Sequence, residues 1–152
     1  MTYYEFENET ELGRHLKYWS NACGDLHHNG EYDLGNISEL PKELQRAYID
    51  LWKEGNGCLE YLVEYDNRYY IALISEFDDS IADNLGRPMD TLYETVKKNA
   101  LELYSQELFK NTVLLLGKET GVDGCHEIIF LVPAMENPDV YNKIEDMIYL
   151  NI

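Results

Sequence analysis

The stretch from Cys58 to Phe77 constrains the fold more than any other part of the chain. Two runs rich in β-formers, Cys58 to Tyr65 and Tyr69 to Phe77, flank Asp66-Asn67-Arg68. Asp and Asn are turn formers, so the whole reads as a β-hairpin. In its first arm Leu59, Tyr61, Val63 and Tyr65 alternate with Glu60, Leu62 and Glu64, which predicts one mostly apolar face and one mixed face. Asn111 to Leu116 and Glu127 to Val132 form a second such pair. The glycine-bearing connection Gly117 to Gly124 suits a longer hairpin loop.

Helical signals surround these hairpins. Asn8 stands three residues before Glu11, the spacing of a capping box, and Leu12, Leu16, Trp19 and Cys23 follow at helical intervals. A first helix is therefore expected over Glu9 to Ala22. Pro41 and the stripe Leu44, Tyr48, Leu51 and Trp52 predict a second, stopped at Gly55. Leu92, Val96, Ala100 and Leu103 predict a third beginning near Pro88 to Asp90. Asn137-Pro138 opens a last one through Tyr149, with Val140, Ile144, Met147 and Ile148 facing inward. The expected fold is a single α+β domain over residues 1–152. It is an antiparallel sheet of about four strands in two hairpins, covered on one face by about four helices. Thr2 to Phe6 is either a fifth, N-terminal edge strand or a disordered start. A solvated sheet face would account for Glu60, Glu64 and Glu76 in strands without any site.

Hydrophobic residues make up 45% of the 152 and aromatics 12%, which excludes a disordered chain. No apolar run approaches the roughly 20 residues that span a bilayer, and no basic segment followed by an apolar stretch opens the chain. Cys23, Cys58 and Cys125 are odd in number, which fits reduced thiols in a cytoplasm. Acidic residues outnumber basic ones 29 to 12, for a formal charge of −17. Such a chain repels nucleic acid and anionic membranes and attracts basic surfaces. Spread over a folded surface on the order of 8,000 Å², that charge is about four times less dense than on duplex DNA. Only clustering on one face would imitate a DNA field.

Candidate chemistry is sparse. Cys23, His27, His28, Cys125 and His126 are zinc-ligand types, but none forms a Cys-x-x-Cys pair, and neighbours in a strand point to opposite faces. A Cys–His nucleophile, with Cys125 or Cys58 and His15, His27 or His28 as base, meets an acidic surround that disfavours the thiolate. Glu76, Asp78 and Asp79, with Asp83 close behind, stand where a strand gives way to a loop, a setting in which carboxylates can hold a hard cation. The spacing is not that of a calcium loop, and Gly117, Gly121 and Gly124 spell no phosphate-binding fingerprint. Thirteen tyrosines are the other notable surplus. Tyr65, Tyr69 and Tyr70 flank the hairpin turn, where burial is least expected, and exposed tyrosine favours interfaces.

These features lead to a non-enzymatic, cytoplasmic binding or inhibitor protein that occludes the basic surface of a nucleic-acid-handling protein. It is expected to need no cofactor and to contact neither nucleic acid nor membrane directly. Glu60, Glu64, Asp66, Glu76, Asp78, Asp79 and Asp83 would supply charge, and Tyr65, Tyr69 and Tyr70 contact area. In size and charge the chain is similar to the small acidic inhibitors of phages and mobile elements. Those include anti-restriction and anti-CRISPR proteins, some of them DNA mimics, and toxin-neutralising immunity proteins. The competing expectations are a metal-dependent hydrolase built on Glu76, Asp78 and Asp79, and a homo-oligomeric scaffold.

Overall fold

The computed structural model describes residues 3–19, 34–35, 41–44, 46, 59–77, 85–86, 88–120, 125–133 and 138–152. Both expected hairpins form. The first joins β4 (Leu59–Tyr65) to β5 (Arg68–Phe77), and the second joins β6 (Val113–Gly117) to β7 (His126–Pro133). Asp66 and Asn67 make the first turn with φ of 49° and 63°. Positive φ at both central positions gives the backbone twist that matches two paired strands, and Asp and Asn tolerate it.

The sheet is larger than expected, and mixed rather than antiparallel. Its order is β1-β6-β7-β5-β4-β2-β3, where β1 is Tyr4–Phe6, β2 is Leu16–Trp19 and β3 is Leu34–Gly35. The hairpins abut through antiparallel β5 and β7, while β1 pairs parallel with β6 and β3 parallel with β2. The N-terminal segment is thus a strand. The first helix, α1 (Glu9–Gly13), is capped by Asn8, whose side chain accepts from the Glu11 amide at 2.9 Å, but it stops at Gly13. Leu16 to Trp19 then runs as a strand against β4, not as helix. Helical spacing misled here because Leu12 and Leu16 are buried in either conformation, and pairing with β4 satisfies the backbone that a longer helix would have satisfied. Of the second expected helix, 42–44 and 46 are helical and the rest lies outside the described residues.

The expectation of one solvated sheet face is also corrected. Phe6, at the end of β1, packs on His15, just before β2, with ring centroids 5.6 Å apart. Four strands separate β1 from β2 in the sheet. A flat sheet would hold them about 24 Å apart at about 4.8 Å per strand. The sheet therefore curls on itself. Its concave side collects Phe6, Leu16, Val63, Ala72, Leu115, Ile129 and Leu131 from six strands, with Leu12 of α1 closing over them. Side chains from a curled sheet fill their own interior, so this face needs no helical layer.

The convex side carries the helices. Leu92, Val96, Ala100 and Leu103 of α2 (Met89–Tyr104), and Val140 and Ile144 of α3 (Pro138–Met147), pack on Leu73, Leu114, Ile128 and Phe130. Each fully buried Leu, Ile or Phe contributes roughly 1.5–3 kcal/mol. Asn99 of α2 donates to the carbonyls of Ile148 and Leu150 at 2.9 and 2.8 Å and fastens the chain end after α3. Ile148 is buried as expected, but Met147 is exposed on the outer side of α3. Among the described residues no helix is long and apolar enough to cross a membrane.

Candidate functional site

The residues singled out in the sequence do not share one surface. Glu64 and Tyr69 face each other across β4 and β5 and are half-buried on the convex side. Asp66 is exposed at the tip. Tyr65 and Tyr70 point the other way, into the concave core, and are only 5% and 6% exposed. The expectation of least burial beside the turn fails for these two because the curl carries its interior to the strand ends. Burial, and then the Asp66 charge and the nearby Tyr4 and Tyr70, push the Tyr65 hydroxyl up to about 12. Glu60 lies in β4 with its side chain outside the described set, as do Asp78, Asp79 and Asp83 entirely.

Cations stand beside the acidic tip. One hollow of about 260 Å³ is lined by Arg14, His15, Lys17, Glu64, Asp66 and Asn67, among others. A second, of about 400 Å³, is lined by Arg68, Tyr69, Lys110, Asn111, Thr112 and Pro133, among others. The tip thus mixes both signs of charge. Counting carboxylates along β4 and β5 missed this, because it passed over Arg68 of β5 itself and the other cations come from the turn after α1, β2 and the segment before β6.

Glu76 belongs to a different place. It is half-buried at the far end of β5, in register with Glu127 of β7. Glu127 is in turn opposite Gly117 of β6, and Gly117 opposite Phe6 of β1. The four form one row across the concave face at the rim of the curl. Glu127 is 0% exposed, and the Thr120 hydroxyl donates to its Oε1 at 2.5 Å. Thr120 occupies the space a side chain on Gly117 would need, since a Cβ there would overlap the threonine side chain. Burial drives the Glu127 carboxyl up to about 8; the Thr120 hydrogen bond opposes this, and the Glu76 and Glu9 charges add to it.

Sequence reasoning took Glu127 only as the start of a strand. The available signal was its position at the head of the apolar run Ile128 to Val132, where a carboxylate on the same face as Ile129 and Leu131 must share their burial.

The zinc and thiol readings gain no support. Cys125 is buried, whereas His126 lies on the convex side against Tyr93, with ring centroids 5.1 Å apart, and its Nδ1 meets the Lys118 carbonyl. Cys23, Cys58, His27 and His28 fall outside the described residues. Among the described residues no group of three or more His, Cys, Asp or Glu is placed to hold a metal ion. No family model, curated protein or solved structure matches the chain.

Proposed function

We propose that this chain is a non-enzymatic acidic binding protein that occludes a basic surface of a nucleic-acid-handling protein. The observation that carries the reading is the charge of −17 on a chain whose outer helices expose carboxylates. Asp90, Glu94 and Glu102 of α2 and Asp139 and Asp146 of α3 are open to solvent. Lys97, by contrast, is drawn back to Glu5 of β1 at 3.4 Å. At the hairpin tip, Glu64 and Asp66 supply charge and Tyr69 a half-exposed ring, which can lie against an arginine through a cation–π contact. Glu60, Asp78, Asp79 and Asp83 join them in the proposal through their places in the sequence. Tyr65 and Tyr70 support the tip from within, and Glu76 drops out because it turns toward Glu127.

The test is capture of partners at low salt followed by a salt titration. Bound basic protein should be lost steeply between about 0.05 and about 0.3 M salt, because exposed charge pairs are screened within roughly 10 Å at 0.1 M. A double reversal, Glu64→Lys with Asp66→Lys, should weaken capture further. Retention that ignores both salt and the reversal overturns the reading.

A further inference from the structure

The two hollows beside the hairpin tip differ in their charge balance. The one of about 260 Å³ sets Arg14 and Lys17 among Glu64 and Asp66, so both signs meet within it. The one of about 400 Å³ has Arg68 and Lys110 in its walls and no carboxylate among its described lining residues. This runs against the balance of the whole chain, with 29 acidic residues to 12 basic ones. Arg68 takes part in no ion pair among the described residues, and Lys110 meets Glu107 at 3.7 Å. Both members of that pair are well exposed, so it holds the lysine weakly.

The hollow opens because the sheet is uneven at this end. β7 reaches Pro133, which pairs with Tyr70 of β5, but β6 begins only at Val113, opposite Leu131. Continuing that register would set Asn111 against Pro133, and the pair is not made. The segment before β6 is held instead by Phe109, which is fully buried with its ring 6.0 Å from that of Phe130. The Phe109 carbonyl accepts from the Thr112 amide at 3.0 Å and from its hydroxyl at 2.7 Å. Tyr70 and Thr112 are both buried. The backbones that carry Arg68 and Lys110 are therefore fixed before a ligand arrives, which lowers the ordering cost of binding.

Arginine presents a planar fork of donors that matches a phosphate, and lysine adds a second positive charge. A doubly charged phosphate group suits two such cations better than a carboxylate does. Tyr69, Tyr70, Val113 and Pro133 add apolar surface beside them, and the volume lies within the range of small-molecule sites, roughly 300–1,000 Å³. The acidic remainder of the molecule limits the size of the ligand. Duplex DNA carries one charge for about every 1.7 Å of axis, so its further phosphates would meet carboxylates such as Glu107 and Asp66. A lone phosphate escapes most of that repulsion, which is screened beyond roughly 10 Å at 0.1 M salt.

We propose that this hollow binds a small phosphate monoester, with Arg68 and Lys110 on the phosphate and the tyrosine–proline wall against its organic part. The inference is independent of the acidic-partner reading, since it uses none of the carboxylates assigned there.

The test is a titration of the intact chain with phenyl phosphate, followed by proton–nitrogen NMR at constant ionic strength and at about pH 7.5, where a phosphate ester is close to doubly charged. Shifts should saturate and concentrate at Arg68 to Tyr70 and Lys110 to Val113. Inorganic phosphate should reproduce them more weakly. Arg68→Gln should weaken phenyl phosphate by about tenfold or more, the effect of losing a charged hydrogen-bonding partner. Glu107→Gln should tighten binding by freeing Lys110, which a loss of folding cannot imitate. Shifts that fail to saturate, or that spread evenly over the basic residues, overturn the proposal, and the wild-type titration decides this even if a variant fails to fold. Benzoate binding as tightly as phenyl phosphate, or displacement of phenyl phosphate by a short DNA duplex, also overturns it. Capture of basic proteins is read separately, so either idea can fail alone.

Discussion

The two ends of the curled sheet treat acidic side chains in opposite ways. At the tip, Asp66 is exposed and Glu64 half-buried among Arg14, Lys17 and other polar neighbours. At the rim, Glu127 is fully buried, faces another carboxyl and holds its proton past neutrality. Glu64 and Glu127 are the same residue type, and both lie in strands that read alike. What differs is which side of the curl the side chain takes and how many rows cover it. A carboxylate in a strand is thus a surface group or a proton store according to its row.

Substitutions at the two ends should break this contrast by unequal amounts. Ile129→Ala, in the row below Glu127, should cost about 3 kcal/mol of unfolding free energy, since truncating a fully buried Ile loses transfer energy and leaves a cavity. Urea denaturation measures this directly.

The pH dependence comes next. Glu127 is raised from 4.5 to about 8 in the folded chain. Between those values the folded state keeps a proton that the unfolded state has released, so stability is full below the unfolded value and falls as pH rises toward 8. Thermal melts from pH 5 to 9 should show the decline in the wild type, and a much flatter profile in Glu127→Gln.

Gly117→Ala should cost about 2 kcal/mol by unseating Thr120, within the usual range for overpacking. Its melting curve should lose much of the sensitivity to Thr120→Val that the wild type shows. At the tip, Asp66→Lys should change stability by less than about 0.5 kcal/mol, as for exposed positions. It should nevertheless weaken salt-sensitive capture of basic partners. A large stability loss there would dissolve the distinction between the ends.

Much of the fold was legible because its signals are local. Asp66-Asn67 between two β-rich runs, Leu92, Val96, Ala100 and Leu103 at helical spacing, and Asn137-Pro138 before an apolar stripe each encode an element within a few residues. All three elements stand where they were expected. Leu16 to Trp19 was not legible, because its apolar residues fit a helix or a strand equally and only the partner strand β4 decides between them. The candidate site divides in the same manner. The position of Glu64, Asp66 and Tyr69 at the hairpin tip could be read from the sequence, whereas the burial of Tyr65 and Tyr70 and the meeting of Glu76 with Glu127 could not.

From its residues alone this chain determines two hairpins, the long helix over the sheet and a strongly negative charge, since turn chemistry, periodicity and ionisation are properties of short segments. Tertiary structure decided the parallel outer strands, the curl, and with it which carboxylates meet water and which meet each other. Those depend on register between strands far apart in the chain, and a one-residue slip would turn every side chain to the other face.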